Sequence, residues 1–389
     1  MINISVFSQM IQLLPKDSFR SLVKKHESDK HSKGINSWTH LITMLFCHLA
    51  KVNSLRDISG GLQSIAGNLN HLGVCKAPSK SSISYLNEKR DWRLFRDFYF
   101  SLLEHFQTVH NFRRTAHRKL QRKIFILDST TISLCLSVFD WATFRQRKGA
   151  IKLHTVLDFD GCLPVFVDMT KGKTHDVTAA KEMSFPSGSI LVMDRGYIDY
   201  EWFQHLDSNN IFFVTRAKNN MKYEVVEDFE ITEKDKDRVL EDKDVRVTGF
   251  YSSEKYPKTL RLVKIWDEDT QQELTFLTNN RSWTAVTVAA LYKSRWEIEI
   301  FFKQLKQHVK ITSFIGTSEN AVLIQVWTAL ITMLLLKYLK DKSEHKWHLS
   351  NLITFVRLNL LVKINLWKWL NNPFVEVQEN APEQLVLNL

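Results

Sequence analysis

Three carboxylates in this 389-residue chain stand where they could hold divalent metal ions: Asp128 in KIFILDST, Asp194 in SILVMDRGY and Glu299 in YKSRWEIEIFFKQLK. Asp128 and Asp194 each close a short apolar run, 124–127 and 190–193. Such runs read as buried strands, and an aspartate at the C-terminal end of one sits where open sheets place their chemistry. Read as a helix, Tyr292, Arg295, Glu299, Lys303 and Lys306 follow at steps of three or four, which stacks them within an arc of roughly 80°. Ile298, Phe301, Phe302, Leu305 and Val309 lie mostly around the other side, ready to pack on a core. A lone carboxylate among cations suits a site where the carboxylate binds metal and the cations grip phosphate oxygens. Hard oxygen ligands favour magnesium (Mg2+), with manganese (Mn2+) able to substitute. Two such ions about 4 Å apart would activate a water or a 3′-hydroxyl and stabilise the leaving oxygen of a phosphodiester displacement. The plain alternative is a solvated face with ion pairs among Arg295, Glu299 and Lys303, and aspartates that merely end their strands. It explains each carboxylate alone better than it explains all three together.

The elements that must carry these groups follow from the pattern around them. RKLQRKIFILDSTTISL gives a strand ending at Asp128, and HTVLDFDG with LPVFVDMT gives a hairpin turning at Asp160–Gly161. DVTAAKEM is a short helix, SILVM a strand, IDYEWFQHLDSNN a helix and IFFVTRAK a further strand. That order predicts a mixed sheet flanked by helices. Residues 221–280 read as a β-rich insertion whose acids alternate with lysines, so they form a solvated loop and not a carboxylate site. Thr284 caps the helix that runs into the Tyr292–Lys306 stretch. Lys148, Lys152 and His154, in RKGAIKLH, precede the second strand and could contact DNA or a metal-bound phosphate, or merely line a solvated strand entrance. Of His175–Asp176, the aspartate is read as the N-cap of the next helix. Asp158 and Asp160 are assigned to the turn at Gly161.

Lys and Arg total 53 against 42 acidic residues, a net charge of +11, which points to a polyanionic partner, nucleic acid before membrane. Residues 1–118 read as helical and basic, with Pro15 ending a first helix, an apolar helix at Trp38–Ala50, Ser54 as an N-cap and Gly60–Gly61 breaking the pattern. A Ser-capped helix from about Ser81 follows and carries Lys89, Arg90 and Arg93. A short helix, a glycine break and a basic second helix match a helix-turn-helix-like DNA reader, with Lys89 and Arg90 as contacts. The apolar run 321–336 is short for a bilayer span and reads as a buried helix. Residues 321–389 are taken as a helical C-terminal region ending in a partly disordered tail from Glu376. Four cysteines without a CxxC pair make neither a disulfide framework nor a zinc site. No secretory signal is legible, and a cytoplasmic protein is expected.

The order Asp, Asp, Glu, the pattern Tyr-x2-Arg-x3-Glu-x6-Lys at Tyr292, Arg295, Glu299 and Lys306, and the contexts LDST and MDRGYID resemble DDE transposases of the insertion-sequence family four, to which the Tn-five transposase is related. The resemblance covers residues 119–310 and extends less closely to VFSQMIQLLP and SLRDI near the N-terminus. It implies an RNase H-like catalytic domain over 119–320, interrupted by the β-rich insertion at about 221–280. It implies binding of terminal inverted repeats in double-stranded DNA, nicking at the element's ends and joining of 3′-hydroxyls to target DNA. By the same resemblance Tyr292 and Arg295 grip a phosphate near the cleaved end, beside a flipped base, and Lys306 contacts the terminal backbone. A tryptophan of the insertion assists hairpin formation in relatives, and Trp266 and Trp283 both qualify here. Relatives act as homodimers in which each site cuts the end bound by its partner. Two other functions use the same residues: a metal-dependent nuclease without end joining, and a non-catalytic DNA-binding relic.

Overall fold

In the computed structural model, the apolar runs before Asp128 and Asp194 are neighbouring parallel strands. The structure describes residues 4–374 apart from 31, 33, 66–68, 111, 113–116, 135–138, 140, 142, 146, 147 and 172–175. The N-terminal part is helical: α1 (Val6–Gln12), α2 (Lys16–Lys25), α3 (Ser37–Ala50), α4 (Leu55–Ser64), α5 (Lys80–Lys89) and α6 (Arg93–Val109). Side chains of Ser5, Asn36, Ser54 and Ser79 accept backbone N–H groups at the starts of α1, α3, α4 and α5, satisfying donors a helix cannot bond internally. The cap of α5 is thus Ser79, two residues before the expected start. Gly60 and Gly61 do not break α4. Gly61 lies inside it because a Cβ there would come 2.7 Å from the ring of Phe46 on α3. Residues 65–79, with a 3-10 turn at Leu69–Leu72, separate α4 from α5, longer than the tight turn of a helix-turn-helix.

The central sheet contains β1 (Ile124–Leu134), β2 (Thr143–Arg145), β3 (Lys148–Asp158), β4 (Leu163–Lys171), β5 (Ile190–Met193), β6 (Phe212–Arg216), β7 (Tyr223–Asp228), β8 (Val239–Val247), β9 (Leu260–Asp267) and β10 (Gln272–Thr278). The strands run β2-β3-β1-β5-β6-β10-β9-β8-β7, with β4 also on β3. β1, β5 and β6 are parallel, and the other pairs are antiparallel. The expected insertion is β-rich, and it extends the central sheet through the β6–β10 pairing. Between strands lie α7 (Asp176–Lys181), α8 (Tyr200–Ser208) and α9 (Phe250–Lys255), followed by α10 (Ala285–Lys293), α11 (Trp296–His308), α12 (Glu319–Lys342), α13 (Leu349–Leu358) and α14 (Leu366–Asn371).

Both sheet faces are covered, which is why β1 and β5 begin with unbroken apolar runs. Ile124, Ile126, Ile190 and Val192 share a core with residues of α10, α11 and α12. Phe125, Leu127, Leu191 and Met193 share another with Ala179 and Ala180 of α7 and Trp202 and Phe203 of α8. The 24-residue α12 is long and apolar enough to cross a membrane, yet 89% of its most apolar window is buried inside the protein. It packs on α3, α5 and α6 from the N-terminal part and on α11 and α13. The tail from Glu376 lies outside the described residues.

Candidate active site

Two aspartates reach the site by strand register. β1 and β5 pair from Ile124↔Ile190 to Leu127↔Met193, so Asp128 and Asp194 are the next positions on adjacent strands. Asp128 does not end its strand, as its sequence context suggested. β1 runs on to Leu134, held by β3, with Asp128 opposite Thr155. One oxygen of each carboxylate is held by backbone: Asp128 Oδ1 accepts from Ser129 N at 2.7 Å, and Asp194 Oδ1 accepts from Gly196 N at 2.9 Å. The second bond makes Asp194 the cap of a 3-10 turn, Arg195–Tyr197.

The expected single helix over Tyr292–Lys306 is two. α10 ends at Lys293, and α11 begins at Trp296. Ser294 and Arg295 keep right-handed dihedrals, but hydrogen bonds shorten to the i−3 type: Arg295 N to Tyr292 O at 3.0 Å and Ile298 N to Arg295 O at 3.2 Å. This tightened turn brings Arg295 over the carboxylates. Its Nη2 lies 2.6 Å from Glu299 Oε1, and its Nη1 lies 3.4 Å from Asp128 Oδ2. The Arg295 guanidinium carbon sits 5.6 Å from the Tyr292 ring centroid and 6.0 Å from that of Trp296.

Burial raises the Asp128 carboxyl to about 6. Asp194 and Glu299 push the same way, while the Ser129 N–H and Arg295 pull against them. Asp128 therefore feels the charge of both other acids, and Arg295 offsets part of it. The donors are hard oxygens of the kind Mg2+ and Mn2+ take, and that charge state favours a bound cation. Among the described residues no group of three such side chains is already gathered as a metal cluster, with the Arg295 guanidinium bridging Asp128 and Glu299.

The other expected residues divide. Lys303 is exposed on the Glu299 side of α11. Lys306 donates to Thr131 O at 3.0 Å, and burial lowers its ammonium pKa. Lys89 is exposed and paired with Glu88. Arg90 departs from the surface contact expected of it: it is buried, with its guanidinium spent on Asp29 and the carbonyls of Ile35 and Asn36. Lys152 is half-buried against Asp176 at 2.7 Å. Asp176, read as a plain cap, instead takes both Lys152 and, at 3.4 Å, His154. Asp158 does serve its turn, accepting from Asp160 N. Trp283 is buried against Phe212, whereas Trp266 on β9 is half-buried. His175 and the Lys148 side chain lie outside what is described. Missed altogether was Trp296, 56% exposed beside Arg295. Its signal was a large apolar residue three positions before Glu299, on the polar side of the helix.

Comparison with known proteins gives a family model, described as a transposase DDE domain, over residues 119–335. A second model, described as a domain of unknown function (DUF4372), matches residues 2–75. A Sinorhizobium fredii protein named transposase y4zB is 37% identical over 228 residues, 58% of this chain and 63% of that protein. A Geobacillus stearothermophilus transposase, named for insertion sequence element IS5377, is 27% identical over 63% of this chain and 64% of its own length. A Synechocystis transposase, named for insertion sequence element IS4SA, is 27% identical over 75% of this chain and 80% of its own. The chain thus spans less than two thirds of the length of the first two relatives. A solved piggyBac transposase synaptic complex with hairpin DNA aligns over 95% of this chain and 81% of that one at 12% identity. Its TM-score is 0.44, a likeness too slight to argue from.

Proposed function

The chain belongs to the family of proteins with a transposase DDE domain, and from that premise we propose that it is the DNA transposase of a bacterial insertion sequence. The observation that carries the reading is the convergence of Asp128 and Asp194, adjacent in register, with Glu299 across the Arg295 guanidinium. In this reading the protein binds terminal inverted repeats, hydrolyses the phosphodiester at each element end and joins the 3′-hydroxyls to target DNA. Membership of insertion-sequence family four, with kinship to the Tn-five transposase, is supported by the Tyr292, Arg295, Glu299, Lys306 spacing. An RNase H-like core is supported by the strand order β4-β3-β1-β5-β6 with β1, β5 and β6 parallel.

Asp128, Asp194 and Glu299 would hold the metal ions. Two divalent cations, Mg2+ or Mn2+, would supply activation of the attacking oxygen and neutralisation of the leaving one. Arg295, relieved of its carboxylates by that charge, would fork onto a phosphate, with Tyr292 against its face. Lys303 and Lys306, further along α11, would follow the DNA backbone. We assign residues 1–118 to recognition of the end sequence, 119–320 to catalysis and 321–389 to a helical region that could pair in a homodimer. The net charge of +11 supports a nucleoid-bound protein of the cytoplasm.

The test is a cleavage and joining assay on DNA carrying the element's own end, with Mg2+ or Mn2+. Wild type should nick and join, while Asp194→Ala should bind the DNA and do neither. Equal cutting by the variant would sink the assignment. Cutting without joining would indicate a nuclease, and binding without cutting by either protein a DNA-binding relic.

A further inference from the structure

Behind Asp128, across the sheet, lies a second charged cluster that the proposed chemistry does not use. Side chains alternate along a strand, so Ser129, and Lys152 and His154 in register with Thr131 and Ser129, project to the face opposite Asp128. On that face Asp176, the first residue of α7, meets Lys152 Nζ at 2.7 Å and His154 Nδ1 at 3.4 Å. His154 is fully buried, and its Nε2 lies 2.9 Å from Thr170 Oγ1 on β4. Ser129, one residue from Asp128, lies on this same face opposite His154, and α7 packs on the 3-10 turn Arg195–Tyr197. Tyr197 is buried and ends the 3-10 turn capped by Asp194. One carboxylate therefore touches β3, reaches β4 through His154, lies on the Ser129 face of β1, and sits on a helix packed against the turn after β5.

Such a cluster has a mechanical reason to exist. The parallel ladder between β1 and β5 stops at Leu127↔Met193, one residue short of the aspartates. Beyond it two like charges repel, and no described β1–β5 pair fixes their separation. Charged groups are costly to bury unless they are paired and hydrogen-bonded, which ties Asp176 to its partners, and metal ligands depend on the shell behind them for placement. We propose that Asp176 is a positioning residue, which holds Asp128 and Asp194 at metal-binding separation from the far side of the sheet. This rests on the reading of those two aspartates as metal ligands.

The test is a Mn2+ titration of the DNA-free protein, followed by electron paramagnetic resonance, beside single-turnover nicking at saturating DNA. The proteins are wild type, Asp176→Asn, His154→Gln and Asp128→Asn, with circular dichroism to confirm folding. Asp176→Asn is expected to weaken Mn2+ binding about 10-fold or more. It should slow nicking similarly, leave the DNA dissociation constant unchanged and regain rate at high Mn2+. Circular dichroism taken at each Mn2+ concentration separates this rescue from refolding driven by bound metal. His154→Gln should move the same way by less, and it carries the test should Asp176→Asn not fold. Wild-type Mn2+ affinity and nicking in both variants, with Asp128→Asn deficient in both, would overturn the positioning role alone. Wild-type behaviour in Asp128→Asn would overturn the site itself, and this inference with it.

Discussion

Arg295 holds Glu299 at 2.6 Å one helical turn away, from a guanidinium whose other nitrogen is 3.4 Å from Asp128. The same group thus stands in for positive charge beside Asp128 and Glu299 and, in the proposed reading, would turn to an incoming phosphate. Arg295→Lys keeps the charge but loses the planar fork. We predict that its end-nicking rate falls roughly 10- to 100-fold and that Arg295→Ala falls further, with Mn2+ binding retained in both. Nicking by Arg295→Ala at the wild-type rate would remove Arg295 from the site.

The raised Asp128 carboxyl gives a pH prediction. A carboxyl whose folded pKa lies above its unfolded one stabilises the fold while protonated. That contribution is whole below about pH 4 and lost as pH rises through about 6. At pH 8 without metal, the Asp128 charge should therefore cost up to about 3 kcal/mol. Asp128→Asn should melt a few degrees above wild type at pH 8, and the gap should close toward pH 4 or on adding Mn2+. A difference that ignores both pH and metal would contradict burial among like charges as the origin of the shift.

In the inserted strands, Arg261 on β9 makes a forked pair with Asp242 on β8, at 2.7 and 2.6 Å, with both residues buried. Removing one partner strands the other's charge, so Arg261→Ala should cost about 3–5 kcal/mol. Arg261→Met with Asp242→Leu should recover most of that. Thermal melts of wild type, Arg261→Ala and the double variant decide it. If the double variant is no better than Arg261→Ala, the pair is not what makes the single change expensive.

Gly61 offers a sharper test of packing. Alanine is favoured over glycine inside a helix by about 1 kcal/mol, yet a Cβ at Gly61 would meet the buried Phe46 ring at 2.7 and 2.8 Å. Overpacking of this kind costs about 1–3 kcal/mol. Gly61→Ala should accordingly lower the melting temperature, whereas Gly60→Ala, with nothing within 4 Å, should not. A stabilised Gly61→Ala would show that α3 and α4 separate easily.

What the sequence disclosed follows from the range of the forces involved. The runs before Asp128 and Asp194 announced their strands because burial on both faces leaves an unbroken apolar signature. Caps at Ser54 and Thr284 are contacts three residues long and were legible for that reason. The continuation of β1 was not, although Thr130, Ile132 and Leu134 alternate with exposed Thr131 and Ser133: a polar residue at 128 reads locally as an end. Arg90 looked like surface because the groups that bury it, at Asp29, Ile35 and Asn36, are 54–61 residues away. The cluster around Asp176 spans from Ser129 to Tyr197, and only register across three strands assembles it. The break at Ser294 leaves no mark either, since its residues keep helical dihedrals.

The burial of α12 against α3 has a consequence for synthesis on the ribosome. His48 on α3 meets Thr328 on α12, 280 residues later. At elongation rates of roughly 5–20 residues per second, the N-terminal helices wait on the order of 15–60 s for the surface that covers them. Throughout that interval the nascent chain carries an uncovered apolar face, and its N-terminal third cannot reach its final packing. Final packing of the first helices therefore waits on synthesis of α12, and a ribosome stalled before residue 319 leaves those helices without it.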